Sequence, residues 1–472
     1  MRRSLAITIL VAIMAIGLFL RVYYLTEQSL WLDEGITYYN SSGENLAEVW
    51  DKTARLDQSP PGYYFLMHGV LEVFGENEFV FRFISVIFGV LSILILYLIL
   101  ASIFNQEVGL IGAALLTFNS FHIGFSMEAR MYVLLSLEAL CAFYFLYRAM
   151  VDPKRGYLWW LGLILALVAG LYTHNFFFFV IAALGMSLLV LLFGTRKKLI
   201  KFFLGVLSLL LAFVAYLPWI PSLLYQLSTE RYWMGENSLW DLKNYSLDFV
   251  NGNFYLLAAM GILVAAGIGW SFVRKKQVGL SAILVFVAVG FAVPLLYSIL
   301  IEPILKIRYV VYLVPFFLAL AAVGIYSLRR FSAVLAVLVI GGYIFVQAPW
   351  QMSRYPQEFG ENYRGVIENL KSDAAVVVHS PSIKHVLNFY NQEKFVIHAF
   401  PDSDDLRDYN IGFKSAEDFR NLIRNFEKFY LVISHTHENP PGLLLTLSST
   451  FCSKLDRGEL SGIEIFYFSD CR

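Results

Sequence analysis

Apolar stretches of the length a helix needs to cross a bilayer, roughly 15 to 25 residues, recur along this chain. They lie at 5–25, 80–104, 107–123, 131–150, 157–172, 175–193, 200–219, 253–273, 278–300, 308–327 and 331–347, which makes eleven. Only Gly170, Thr173, His174 and Asn175 divide 157–172 from 175–193. "PPGYYFLMHGVLEVFG" (60–75) has apolar residues at helical spacing but is too short to span, which predicts a helix lying in the interface. After Ala348 the pattern changes. The apolar β-rich runs "AAVVVH" (374–379) and "FYLVIS" (429–434) alternate with helical spacing in "AEDFRNLIRNF" (416–426), as in a small α/β domain. The pattern therefore predicts a mainly α, polytopic transmembrane module over 1–348, with long outer loops at 26–79 and 220–252. An extracytoplasmic soluble α/β domain over 349–472 follows it.

Composition agrees: 58% of residues are hydrophobic and 15% charged, the balance of an integral membrane protein. Lys+Arg and Asp+Glu stand at 36 each, so no overall field recruits nucleic acid, and any functional charge is local. With the N-terminus inside, fourteen basic residues, from Arg2 and Arg3 to Arg329 and Arg330, fall on the cytoplasmic side. The short outer connections hold only Arg130, Lys306 and Arg308, as the positive-inside rule requires. The alternation fails downstream if 157–193 is one span, and eleven spans send the C-terminal domain outside. The first stretch has the length of a full span and lacks a small-residue cleavage site, so it reads as a retained span and not a signal peptide. Cys141, Cys452 and Cys471 show neither CxxC nor zinc spacing. Cys452 and Cys471 flank a predicted hairpin, whose register decides whether they come within the roughly 7 Å that a disulfide needs.

Charged and polar heads gather at the outer helix ends: Arg21, Asp33, Glu34, Asp57, His68, Arg82, His122, Glu128, Arg130, His174, Glu302, Lys306 and Arg308. Singly, each reads as a snorkelling or solvated side chain. Together they mark a cavity on one face of the membrane. Arg130 and Arg308 are the candidates for binding a phosphate, because guanidinium forks match its oxygens, with Lys306 and Arg21 next. A competing reading pairs Arg130 with Glu128 and leaves Lys306 and Arg308 as interface anchors. Glu138 lies seven residues into a span and needs a partner or a water-filled cavity. No Walker or GxGxxG motif is present, which disfavours an ATP-driven machine.

The strings "WLDEGITYY", "DQSPPGYYFLMHGVLEVFG", "FRFISVIFGVLSILILYL", "SMEARMYVLLSL", "YTHNF" and "RYVVYLVP" together resemble the bacterial and archaeal members of the protein O-mannosyltransferase and aminoarabinose transferase group (glycosyltransferase family 39). These are GT-C glycosyltransferases, and the resemblance covers about residues 5–347. It implies a plasma-membrane enzyme that moves a sugar from a polyprenyl-phosphate donor to a protein, lipid or glycan acceptor outside the cytoplasm. The transfer would proceed with inversion and without a metal or other cofactor. Asp33 would then be the general base. Glu34 would orient or neutralise a neighbour such as Arg21, since adjacent residues diverge by about 100° on a helix. Glu128, Tyr63, Tyr64 and His174 would line the substrate cavity, although a lone histidine near a helix end is more often a hydrogen-bonded structural residue. Relatives often place His or Lys before the double proline, where this chain has Ser59, so another base takes that phosphate contact or the donor sits differently. The rival function is a transporter or flippase of lipid-linked saccharides, which would favour repeat-like halves and broken helices at mid-membrane depth. The tail is expected to assist acceptor recognition, since His435, His437 and Glu438 form no convincing ligand set.

Overall fold

The computed structural model describes residues 3–228, 238–273, 277–329, 332–354, 360–371, 374–379, 381–392, 394–400, 416–434 and 442–471. Among the described residues, each of the eleven apolar stretches is largely helical. Eight helices among the described residues are long and apolar enough to cross a membrane: Arg3–Val22, Glu78–Ile103, Tyr132–Val151, Gly156–Thr173, Lys198–Leu227, Phe254–Ser271, Val278–Leu300 and Ile307–Leu328. Phe177–Leu192 and Ala333–Ala348 are shorter apolar helices, so the chain does divide between Thr173 and Phe177. The stretch 107–123 is not one straight span. It forms Gln106–Phe118 and Ser120–Ser126, bent by 65°.

The described residues fall into two compact units. The first comprises Met1–Leu25, Arg82–Pro221 and Glu230–Ser353; the second comprises Thr26–Phe81, Ser222–Thr229 and Arg354–Arg472. This division cuts across the boundary at 348/349, because the outer segment 26–79 clusters with the C-terminal residues. Of the outer segment 220–252, Ser222–Thr229 also joins the second unit.

In the first unit, neighbouring helices run Tyr132–Val151 against Gly156–Thr173, Phe177–Leu192 against Gln277–Leu300, and Phe254–Val273 against Val314–Leu328. The last pair meets through Gly324, where an added Cβ would lie 1.9 Å from the Leu263 carbonyl oxygen. Small residues permit such close approach where lipid supplies no hydrophobic drive between helices.

The break at Asn119 is buried, and its polar groups are met by side chains. Arg21, with no accessible surface, donates from Nη1 to the Gly17 and Thr117 carbonyls at 3.0 and 3.4 Å and from Nη2 to Leu116 O at 3.5 Å. Its Nη2 also meets His122 Nδ1 at 3.1 Å, and Nε donates to Ser126 Oγ at 3.2 Å. Asn119 Oδ1 caps the following helix by accepting the His122 N–H at 2.9 Å, while its Nδ2 donates to Phe249 O at 2.9 Å and to the Tyr343 hydroxyl at 3.1 Å. Gln347 Oε1 accepts from the Ser120 N–H at 3.2 Å and from the Ser120 hydroxyl.

The second unit holds a five-stranded sheet of order β2-β1-β3-β5-β4, with β1 Ala375–His379, β2 Ile397–Phe400, β3 Lys428–Ser434, β4 Cys452–Leu460 and β5 Ile463–Cys471. Strands β2, β1 and β3 are parallel, and β5 runs antiparallel to β3 and pairs with β4 as a hairpin. This confirms the mixed α/β character that the alternating pattern predicts. Helices Pro381–Asn391, Ala416–Ile423 and Gly442–Phe451 fill the connections. Phe419, Ile423 and Leu444 pack on Val377, Phe429, Leu431 and Phe468 to make the core. Helix Gly62–Phe74 buries Tyr63, Tyr64, Met67, His68 and Val70 and leaves Leu66, Val73 and Phe74 exposed. Cys452 and Cys471 face each other at the open end of the hairpin and are bonded.

Two outcomes follow. Arg21→Met strands several buried acceptors at about 1–3 kcal/mol each, so the thermal midpoint in detergent should fall well below wild type; an unchanged midpoint would show that the break satisfies itself. Intact mass should rise by two hydrogens on reduction of the native protein, since one disulfide opens.

Candidate active site

The residues singled out from the sequence are divided between the units: Arg21, Glu128, Arg130, His174, Lys306 and Arg308 in the first, Asp33, Glu34, Tyr63 and Tyr64 in the second. Within the first unit, Arg130 and Arg308 come together around one ring. Their Cζ atoms lie 5.5 and 5.9 Å from the centroid of Tyr132, and Arg130 Nη2 donates to the Tyr132 hydroxyl at 3.4 Å. Arg308 also lies 5.6 Å from the Tyr309 centroid. Local structure explains the placement. Helix Ser120–Ser126 ends in the short turn that carries Glu128 and Arg130, and helix Tyr132–Val151 starts directly after it. Arg308 sits in the 3-10 helix Ile307–Leu313, with half-buried Lys306 as its N-cap. Ser298 Oγ anchors the preceding segment by accepting the Ile304 and Leu305 N–H groups at 2.8 and 2.9 Å.

His174 completes this group, in the turn between two membrane helices. Its ring lies 4.9 Å from Tyr309 and 6.1 Å from Tyr132. Its Nδ1 accepts the Phe176 N–H at 3.0 Å, so in the neutral imidazole the proton sits on Nε2. Burial first, and the charges of Arg130 and Arg308 second, hold the imidazole down at about 3. The arrangement is therefore two fixed cations, two phenols and a neutral donor, a set suited to an anionic group. Tyr132 and Tyr309 went unremarked in the sequence, although each follows its arginine within two residues.

Arg21 lies apart from this chemistry. Fully buried and engaged with the carbonyls of the broken helix, it acts there as a structural clasp. Glu138, buried in its span, accepts the Thr173 hydroxyl at 2.8 Å, and Thr173 is thus the partner that its position demanded.

In the second unit Asp33 and Glu34 open helix Leu32–Ser41. Glu34, with no accessible surface, turns back and accepts the Trp31 N–H at 3.2 Å, the N3 half of a capping box. Asp33 remains half-buried. The two acids thus diverge, as their adjacency on a helix requires. Tyr63 and Tyr64 have no accessible surface. Tyr64 donates to Asp57, whose Oδ2 also accepts Asn40 Nδ2 at 2.9 Å while Oδ1 accepts the Gln58 N–H at 2.5 Å. This held carboxylate, three residues before the double proline, was noted in sequence only as one of many outer charges. His435, His437 and Glu438 lie outside the described residues.

Residues 58–221 match the family described as dolichyl-phosphate-mannose-protein mannosyltransferase. No curated protein sequence matches. The fold as a whole is that of the GT-C glycosyltransferases. It resembles ArnT from Cupriavidus metallidurans in the apo state with TM-score 0.68 at 14% identity, covering 97% of each chain. The same protein bound to undecaprenyl phosphate gives 0.68 at 15% identity, again over 97% of each. The archaeal oligosaccharyltransferase AglB from Archaeoglobus fulgidus, in complex with an inhibitory peptide and a dolichol-phosphate, gives 0.62 at 12% identity over 99% of this chain and 74% of that one. The resemblance read from the sequence motifs is thereby supported, both by the family match inside the chain and by a fold shared from end to end.

The neutral His174 makes an acid-stability prediction. Below its ordinary 6.5 the unfolded chain binds a proton that the folded site refuses down to about 3, so stability is complete above 6.5 and is lost as pH falls through that window. His174→Gln can still accept the Phe176 N–H but cannot titrate. The gap between thermal midpoints at pH 7 and pH 4 should narrow in the variant, and an equal gap would disprove the assignment.

Proposed function

We propose that this protein is a multi-pass membrane glycosyltransferase that takes a sugar from a polyprenyl-phosphate donor and passes it, with inversion, to a hydroxyl acceptor on a peptide, lipid or glycan. The observation that carries the reading is the pair Arg130 and Arg308 held around Tyr132 within a GT-C fold, one of whose solved members binds undecaprenyl phosphate. In the reaction the Asp33 carboxylate takes the acceptor proton while the acceptor oxygen attacks the anomeric carbon. The bond from that carbon to the donor phosphate oxygen breaks, and the phosphate leaves with the electron pair. Arg130 and Arg308, with Lys306, stabilise the charge that develops on the phosphate, and the scheme invokes no metal. Glu34 shapes the start of the helix that presents Asp33. Glu128 and His174 border the donor group.

The chemistry is proposed for the outer side of the membrane, with the N-terminus cytoplasmic and the α/β domain extracytoplasmic. The biased distribution of basic residues supports that orientation, as does a disulfide of the kind that persists in oxidising compartments. The transporter reading has less support, because the fold agrees end to end with transferases.

Purified protein in nanodiscs, supplied with a panel of polyprenyl-phosphate sugars, should turn over at least one donor, read by mass spectrometry. Asp33→Asn should lower turnover by roughly 10²–10⁴ with donor binding retained. Arg308→Ala should weaken donor binding, because a charge-assisted phosphate contact is lost. Normal transfer by both variants would remove the chemical centre from the scheme.

A further inference from the structure

Gly35, Tyr38 and Tyr39 stand at i, i+3 and i+4 on helix Leu32–Ser41 and therefore share one face. Within the second unit that face meets helix Pro381–Asn391, which connects β1 to β2. An added Cβ on Gly35 would lie 2.5 Å from Val386 Cβ and 2.8 Å from both its Cα and its N, so the two helices touch backbone to backbone and only glycine fits. Tyr39 stacks on His385 with centroids 3.7 Å apart and planes at 30°, and Tyr38 meets Phe389 edge-on at 5.3 Å. The flanking chain is tied to the same tail. Ser29 Oγ donates to Glu361 O at 2.7 Å, the Leu30 N–H donates to the Tyr390 hydroxyl at 2.6 Å, and Arg364 Nη2 donates to the Thr26 carbonyl at 2.8 Å. The same Nη2 lies 3.0 and 2.9 Å from the two Glu78 carboxylate oxygens.

Each helical step turns about 100°, so Asp33, two residues before Gly35, lies about 200° around the helix, on the side away from the tail helix. A glycine inside a short helix weakens it, and here the closeness of Val386 accounts for its presence. A methyl at position 35 has no room unless one helix moves as a body, and that displacement reaches Asp33 undiminished.

We propose that helix Pro381–Asn391 is a positioning element for the catalytic carboxylate, its Val386 backbone and His385 ring setting the depth and tilt of the helix that bears Asp33. This rests on the reading of Asp33 as the base, and it gives the α/β tail a part in the geometry of the chemistry. Reacting groups tolerate little misplacement, a shift of about 1 Å costing on the order of 10² in rate.

The test uses the full-length protein in nanodiscs and a turned-over donor. Gly35→Ala should lower kcat by about 10- to 10²-fold with KM for the donor unchanged, and should add nothing in an Asp33→Asn background, where the base it would misplace is already gone. His385→Ala should lower kcat in the same way, while His385→Phe, which keeps a ring on Tyr39, should restore it. The His385 pair leaves the backbone contact intact and decides the matter where Gly35→Ala cannot be purified. Wild-type kcat in Gly35→Ala and His385→Ala beside an impaired Asp33→Asn would overturn the inference and leave the base in place. A Gly35→Ala loss that multiplies with that of Asp33→Asn would overturn it as general damage. A fully active Asp33→Asn would bring down both.

Discussion

A helix broken inside an apolar bundle leaves carbonyls that water cannot reach, and in hydrocarbon each such group is costly. The first unit depends on how these groups are met at Asn119. Arg21 does most of it, reaching from the first helix to the Leu116 and Thr117 carbonyls and on to Ser126 beyond the break. Its guanidinium can only donate, which makes His122 Nδ1 an acceptor at 3.1 Å and fixes that ring's tautomer. The bend of 65° ends at the turn carrying Glu128 and Arg130, so one buried arginine shapes the loop that brings another to the site. The chemistry of the two is the same; only their surroundings separate a clasp from a candidate for phosphate binding.

At the site the charges are sorted with similar economy. Arg130 and Arg308 both lie over the ring of Tyr132, whose quadrupole attracts cations. A protonated His174 would add a third positive charge in a buried place, and burial with the two arginines prevents it. Its neutral ring still offers an Nε2 proton, because the Phe176 N–H occupies Nδ1. A neutral donor beside two cations can follow an anion without repelling its neighbours, which suits a phosphate whose charge grows as its bond to the sugar breaks.

The parts legible in the sequence were those written in local pattern. Apolar length marked the helices, alternation marked β1 and β3, and the division at His174 survived because charge parity demanded it. Arg130 and Arg308 could be chosen because each stands at the end of a span with little polar company. The break at Asn119 was not legible, because apolar length cannot tell a straight helix from one whose carbonyls are taken by Arg21 nearly a hundred residues earlier. The company kept by the segment 26–79 was equally hidden. Gly35 against Val386 and Glu78 against Arg364 are contacts across roughly three hundred residues or more, and no window along the chain contains both partners. The spacing Gly35, Tyr38, Tyr39 did carry the signal of a packed helical face, but not the identity of what it packs on.

Glu138 joins the two themes. A carboxyl seven residues into a membrane helix demands a reason, and the structure supplies a hydrogen bond from Thr173, the last residue of the neighbouring helix. The next residue is His174, whose backbone N–H still returns to Gly170 O at 3.2 Å while its side chain has already turned to the tyrosines. Thr173 thus holds the helix end from below, and the Phe176 N–H holds the imidazole from above. The turn between two membrane helices is in this way pinned at both sides of one histidine. A buried acid whose position called for a partner is explained by the need to keep the wall of the arginine site in register.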